Sequence, residues 1–438
     1  MAEPRKNVFQ PHPLREALYD ELHIRPFHNI ETPQQITHLT ACAQPADQDA
    51  VFELLCELCR RYNVNPPQTG AVTYHQDFGS FTIHWERHVE FYALTIMQPT
   101  VDASHPFQHA AIDLLPADWL SKLPGQMVSA FHLLLDDQRL DYAETALNRY
   151  FEGHRVVISQ VKGGKARVFT AFKLHGDGYG RFIIRDLGLN PSQMGQLVRR
   201  VLELETYRLL ALISLPIAKR IAPQMVEMDH NLAKLLKLVT NLESIREERD
   251  LLEKLTGIEA QLETYRAETN HRFSASRAYF ELVQDRLEGL AEDGVNGYFS
   301  ISEVMSRRLK PALRTCESLQ TWMEDLSKRV ERASDLLRTR VNLNLQEQNR
   351  SLLSAMNRRS QLQFRLQETV EGLSIAAISY YVVGLFGYLF NGLPLDQWGL
   401  SKKALLAACI PLVVVSVWAV TQRIKHRLIK NPGQAENA

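Results

Sequence analysis

GLSIAAISYYVVGLFGYLFNGLPL, residues 372–395, contains no charged side chain, and a second apolar run, ALLAACIPLVVVSVWAVT, follows at 404–421. About 20 apolar residues carry a helix across a bilayer. The first run has that length, and the second is just long enough. Backbone facing lipid has to satisfy its own hydrogen bonds, so runs of this kind are helical. The short charged break between them, DQWGLSKK, predicts a two-helix transmembrane hairpin over 372–422, with spans at about 372–393 and 404–421. The competing reading is a pair of buried core helices in a soluble protein. It fits poorly, because core helices rarely stay uncharged for so long.

Orientation follows from the basic residues. Arg358, Arg359 and Arg365 precede the first span, and Arg423, Lys425, Arg427 and Lys430 follow the second. Only Lys402 and Lys403, in the loop, point the other way. Both termini are expected in the cytoplasm, with the loop between the spans outside. The opening residues, MAEPRKNVFQPHPLREALYDEL, have no apolar segment of signal-peptide type. Residues 423–438 form a basic cytoplasmic tail, suited to anionic headgroups. The bilayer is thus the first partner the sequence implies.

Ahead of the spans, 191–371 reads as helix almost throughout, a coiled-coil stalk. Asn190-Pro191 is a helix start, with Pro at the first helical position. The apolar segment LLALISLPIA, 209–218, is too short to span and is read as a kinked helix packed in the protein. A second helix is expected over Met225–Thr256, with a break at Gly257, and a third to Glu292. GVNGYFS, 294–300, is a turn with Ser300 or Ser302 as the cap of the last helix. Leu319, Met323, Leu326, Val330, Ala333 and Leu337 then alternate at spacings of four and three, a coiled-coil seam. Val341, Leu345, Leu352, Met356, Leu362, Leu366 and Val370 continue it after a phase shift. One helix from Ile301 to Asn391 would measure roughly 135 Å. A homo-oligomer through the 301–371 helix and the spans is the expected assembly.

Residues 1–190 read as a cytoplasmic α+β domain. Its pattern is a duplicated βαβββ unit. One half is strand 36–43, helix 47–62 and strands near 71–75, 80–86 and 89–97. The other is strand 128–135, helix 141–151 and strands near 155–161, 166–173 and 181–187. Alternation puts Phe81, Ile83 and Trp85 on one strand face and Ser80, Thr82, His84 and Glu86 on the other. The expected product is an eight-stranded, mostly antiparallel sheet with helices on one face.

Composition excludes some classes. Fifty basic residues balance fifty acidic ones, so the chain carries no nucleic-acid signal. Five cysteines without scaffold spacing fit a reducing compartment. Cys56 and Cys59 form CxxC inside a predicted helix, where packing is the better reading than redox chemistry. HGDGYG, 175–180, precedes a strand and KGGK, 162–165, has the wrong spacing for a Walker loop, so both read as hairpin turns. His75, His84, His88 and Glu86 share a sheet face and include metal-ligand types, although half-buried sheet histidines of this sort are commonly structural. No catalytic pattern is found, no cofactor is implied, and the chain is not expected to be an enzyme.

Two sets of candidate functional residues remain. In HPLREALYDELHIRPF, 12–27, a short amphipathic helix carries Arg15, Glu21, His23 and Arg25. They read either as a ligand site, with His23 and Arg25 contacting a phosphate or similar group, or as surface charges tying the N-terminus to the domain. In the first span, Ser379, Tyr380, Gly384, Gly387 and Asn391 are candidates for helix packing or for lining a multi-subunit pore. Neither span holds an acid, Lys, Arg or His, which disfavours a proton-driven carrier.

The stretches HPLREALYDELHIRPF and LQFRLQETVEGLSIAAISYYVVGLFGYL (362–389) resemble the bacterial family "domain of unknown function 3422", described as membrane-anchored proteins. The resemblance implies membership, and with it a bacterial inner (cytoplasmic) membrane, and no activity. In layout the chain is also similar to CorA-type magnesium channels, with a cytoplasmic α/β domain, long helices and two C-terminal spans. Those channels carry Gly-Met-Asn after the first span, where this chain has Gly387-Tyr-Leu-Phe-Asn391-Gly392. The function expected is a membrane-anchored scaffold or sensor. The alternative is a CorA-like homo-oligomeric divalent-cation channel.

Overall fold

The computed structural model describes residues 12–15, 29–99, 105–239, 242, 244–392 and 402–430. The chain divides into two compact units, residues 1–242 with 250–334, and residues 243–249 with 335–438.

The first unit is built on a mixed sheet. Its strands are β1 Gln34–Cys42, β2 Thr73–Asp77, β3 Thr82–Arg87, β4 Phe91–Gln98, β5 Gln126–Asp136, β6 Val157–Val161, β7 Ala166–Thr170, β8 Gly180–Asp186 and the two-residue β9 Asp293–Gly294. They form one nine-stranded sheet in the order β2-β3-β4-β1-β5-β8-β7-β6-β9. Both halves show the expected sequence of strand, helix and three-strand meander. They differ in one pairing: β1 meets β4 antiparallel, whereas β5 meets β8 parallel. The second half therefore reuses the order of the first with its leading strand reversed. The ninth strand, absent from the sequence reading, comes from the turn before the last long helix and pairs with β6.

Helices cover both faces of the sheet, where one face was expected. On one side lie α1 Pro45–Tyr62, α2 Ala117–Leu120 and α3 Glu144–Tyr150. Leu39, Leu94, Ile83 and Trp85 pack there with Val51, Leu55 and Leu58 of α1. Leu134 and Ile183 pack with Leu147 of α3. On the opposite side Ile36, Leu133, Leu135, Val168 and Ile184 meet Leu197, Val201 and Leu204 of α4 Pro191–Leu212. The cause is visible in the strands. β1 and β4 are buried at nearly every position rather than at alternate ones, the signature of a strand covered twice.

α4 starts as the sequence predicts. Asn190 and Gln193 exchange side-chain to backbone hydrogen bonds of 2.8 and 3.1 Å, with Pro191 at the first position. The apolar segment after it divides at Ile213 between α4 and α5 Ser214–Val239, and Leu210, Ala211, Ser214 and Ala218 are buried. The next helix, α6 Ile245–Leu290, runs through Gly257. The expected break lies earlier, before a capping box in which the Ser244 hydroxyl accepts from Glu247 N and Glu247 accepts from Ser244 N. A reciprocal cap of this kind starts a helix firmly. A mid-helix glycine costs only about 1 kcal/mol, and buried Leu255 and Leu262 on either side hold the helix together.

The last long helix, α7 Ile301–Gly392, begins at Ser300, whose hydroxyl accepts from Glu303 N. The Glu292 carboxylate also takes Ile301 N at 2.7 Å and Ser302 N at 3.0 Å. Within the first unit, α5, α6 and α7 run together. Arg329 pairs with Asp229 at 2.6 Å and Ser327 donates to Glu259 at 2.8 Å. Leu319, Met323, Leu326, Val330 and Ala333 are all buried. The seam read from spacing therefore packs within the chain.

The second unit carries the end of α7 and α8 Lys402–Lys430. Glu248 is buried there, bonded to Arg340 Nε at 2.8 Å and to Asn344 Nδ2 at 3.0 Å. By length and composition three helical stretches are apolar enough to cross a membrane: Pro191–Val239, Ile301–Leu389 and Lys403–Ile424. A third of the apolar window is buried in the first of these, but only 6% in each of the other two.

Candidate functional site

The sheet face beneath α4 is not uniformly apolar. Over β5, β7 and β8 it presents Leu133, Val168 and Ile184. Over β1, β3 and β4 it turns polar, because His38 and Thr40 alternate with Leu39, His84 and Glu86 with Ile83 and Trp85, and Thr95 with Leu94 and Ile96. Between this polar quarter and α4 lies a cavity of about 80 Å³. His38, His84, Glu86 and His88 face it from the sheet side, and Arg199 and Glu203 from α4. Phe91, Met97, Val198, Leu202 and Tyr207 give it apolar walls.

At its floor, His38 Nδ1 lies 2.8 Å from Thr95 Oγ1, and Nε2 lies 3.1 Å from Thr206 Oγ1 on α4. Thr40 closes the group, 3.1 Å from Thr206. Burial pushes the His38 imidazole down from 6.5 to about 4, so it is neutral at physiological pH and both ring nitrogens are committed to threonines. Its role is to hold β1, β4 and α4 together.

At the wall, Glu86 stands between two imidazoles, 3.6 Å from His84 Nε2 and 4.0 Å from His88 Nε2. Burial works against its ionisation, but these imidazoles hold the carboxyl well below the usual range. His75 pairs across the strands with His84, their ring centroids 5.8 Å apart. His88 stacks on Phe91 at 4.1 Å. Opposite, Arg199 Nε donates to Glu203 at 2.8 Å, and the other Glu203 oxygen accepts from Arg286 of α6. Among the described residues no group of three His, Cys, Asp or Glu side chains is placed to hold a metal ion.

The structure thus brings together the four residues grouped by alternation, His75, His84, Glu86 and His88. It adds His38, Thr95, Thr206, Arg199 and Glu203, which only tertiary contact could reveal. Of the N-terminal candidates, Arg15 is described and partly exposed. Glu21, His23 and Arg25 lie outside the described residues. In the first apolar stretch Ser379 is buried, and among the described residues its Oγ meets no hydrogen-bond partner. Tyr380 is exposed beside Tyr381. Gly384 faces open space, whereas a Cβ on Gly387 would stand 3.7 Å from Leu406 Cδ1. Asn391 lies in α7, its side chain outside the described set.

Three motifs resolve as packing or turns. Cys59 is buried, 3.0 Å from the Tyr74 hydroxyl. Lys162 to Lys165 joins β6 to β7, and 175–180 leads from β7 into β8. That second loop is held by Arg181, which pairs with Asp177 at 2.7 Å and Glu152 at 2.9 Å.

The family model described as "Protein of unknown function (DUF3422)" matches residues 10–428, and the chain belongs to that family. No curated protein matches it.

Proposed function

Taking that membership as premise, we propose that the protein is a membrane-anchored sensor or scaffold. Its sheet domain receives a ligand or partner, and its C-terminal helices tether it to a bacterial inner membrane with both termini in the cytoplasm. The observation that carries the reading is the exposure of uncharged helix. Leu373, Tyr381, Leu385, Leu389, Leu412 and Val415 are each more than half exposed. Apolar surface on this scale marks an interaction site or a membrane segment. The cavity beneath α4 supports the receptor half of the reading, since apolar walls with a few convergent polar groups are what ligand sites share. Self-association belongs to the same reading and is supported by exposed Leu352, Leu362 and Leu366 at heptad-related positions of α7.

The test is flotation of the full-length protein with membranes after alkaline carbonate washing, beside a chain ending at Glu371. Retention of the first and release of the second is expected. Release of both would overturn the anchor.

The continuity of α7 from Ile301 to Gly392 favours a second reading, the CorA-like channel, in which a stalk runs unbroken into a pore-lining span. Magnesium entry into vesicles, lost in Asn391→Ala, would replace the first reading by this one.

A further inference from the structure

We propose that residues 341–373 of α7 pair with the same residues of a second copy of the chain, parallel and in register, as a two-stranded coiled coil. The inference rests on the self-association included in the reading above, and it fixes the surface, the partner and the orientation.

The stretch is bare. Every side chain from Leu345 to Val370 is exposed, so no described segment of the chain covers it. Helices in proteins owe most of their stability to the packing of one face, and the spacing of this face says what it packs against. With Leu345 at heptad position a, Leu352, Leu366 and Leu373 also fall at a, and Val341, Ala355 and Leu362 fall at d. The c positions, Glu347, Ser354, Gln361 and Glu368, are all polar. An a/d stripe is complementary to another helix with the same repeat, each side chain entering a hole between four of the partner's. Leu343, Leu353 and Phe364 lie at outer positions of the heptad and take no part.

Orientation follows from the anchor. α7 runs without a break from this stretch into the first apolar run. Two copies held in one membrane therefore present their stripes pointing the same way and at the same distance from the bilayer. A helix continuous with a span is also directed away from the bilayer surface, so lipid does not provide the cover.

Arg359 fixes the number of chains. It occupies the a position between Leu352 and Leu366 and is exposed. In a two-stranded coil an arginine there keeps its stem against the seam and turns its guanidinium out to water. In a wider bundle several guanidiniums would converge on a closed axis, at a cost that no acid offsets, since no Asp or Glu occurs between Glu347 and Glu368. A polar residue at one a position also sets the register while weakening the pair.

The experiment is oxidative cross-linking of the full-length protein in its membranes, with Ala355→Cys at d, Leu366→Cys at a and Asn357→Cys at f introduced one at a time. The unsubstituted chain reports the background from its own five cysteines. Disulfide-linked dimers are expected from Ala355→Cys and Leu366→Cys, at least tenfold above Asn357→Cys and the background. Like residues of an antiparallel pair meet at one level only, so linkage at both 355 and 366 requires parallel register. Arg359→Leu, read by sedimentation in detergent, should tighten association at least tenfold. Linkage at only one of the two positions, equal linkage at 357, or no gain from Arg359→Leu would overturn the proposal. A parent protein that associates but links at neither position would overturn this surface and leave self-association standing, whereas a monomeric parent would overturn both. Retention after carbonate washing reads the anchor separately.

Discussion

His38 Nε2 and Thr206 Oγ1 lie 3.1 Å apart across 168 residues of sequence, tying a central strand of the sheet to the helix that covers it. Burial keeps this ring unprotonated beside its threonines. His38 is lowered from 6.5 to about 4 by burial, and so is His132, which bonds to Thr37 at 2.9 Å. Both rings are neutral in the folded state while the unfolded chain takes up protons below pH 6.5. The stability they allow is fully present above that value and is lost as the pH falls from 6.5 towards 4. One unit corresponds to about 1.4 kcal/mol, so each histidine accounts for on the order of 3 kcal/mol over that window. Denaturant midpoints measured from pH 7 to pH 4 should fall steadily, and the fall should be shallower in His38→Gln. A flat profile in the parent protein would contradict the assignment.

Glu248 and Arg340 make a second test. The carboxylate is almost fully buried and its only cation among the described residues is Arg340, with Asn344 adding hydrogen bonds. Removing the cation strands a buried charge, an effect of about 3–5 kcal/mol when a pair is fully enclosed. Arg340 is 40% exposed, so a smaller loss is expected. Arg340→Met should destabilise this region more than Glu248→Gln does. Hydrogen exchange of the first turns of α6 reads the difference, and equal effects would sink the prediction.

Gly125 precedes β5 with φ near +91°, and a Cβ there would stand 2.5 Å from the Cys42 carbonyl oxygen. Both the backbone angle and the close approach exclude a side chain. Gly125→Ala should lower stability by roughly 2–3 kcal/mol, whereas Gly70→Ala, with open space around it, should lose less. The comparison of their melting temperatures isolates the contact from the backbone angle.

The anchor predicts a positional effect of charge. Leu412 lies within α8 and Leu352 within α7, and both are exposed. An arginine at the centre of a spanning helix costs about 2.5–3.5 kcal/mol of insertion. Leu412→Arg should therefore reduce the carbonate-resistant fraction, and Leu352→Arg should leave it unchanged. Equal retention of the two variants counts against a span at 404–421.

Much of the sheet was legible in the chain because alternation is local. His84 and Glu86 on one side of β3, Ile83 and Trp85 on the other, need only a period of two. The second helical layer was not, since nothing in LGLNPSQMGQL says which sheet face α4 will cover. The sequence places a helix break at Gly257, whereas α6 starts at Ile245 under the Ser244 cap and runs through Gly257, because a lone glycine weakens a helix without ending it. For the cavity, the His84, Glu86 and His88 alternation was the readable signal. Arg199, Glu203 and Thr206 join them only through the packing of α4, and no spacing in the sequence encodes that meeting.

The two faces of the sheet also close at different times during synthesis. Trp85 and Leu94 find α1 already made, so that side can pack while the second half of the chain is still emerging. The opposite side carries Ile36 and Leu133, whose cover includes Leu287, Met305 and Leu309. These arrive only after most of the domain has left the ribosome. Until then α4 covers that side without them, and the apolar surface that Leu287, Met305 and Leu309 will meet stands bare, the condition that invites aggregation or chaperone capture. A chain truncated before α6 should accordingly accumulate in insoluble form, although every strand of the main ladder from β1 to β8 would be present in it.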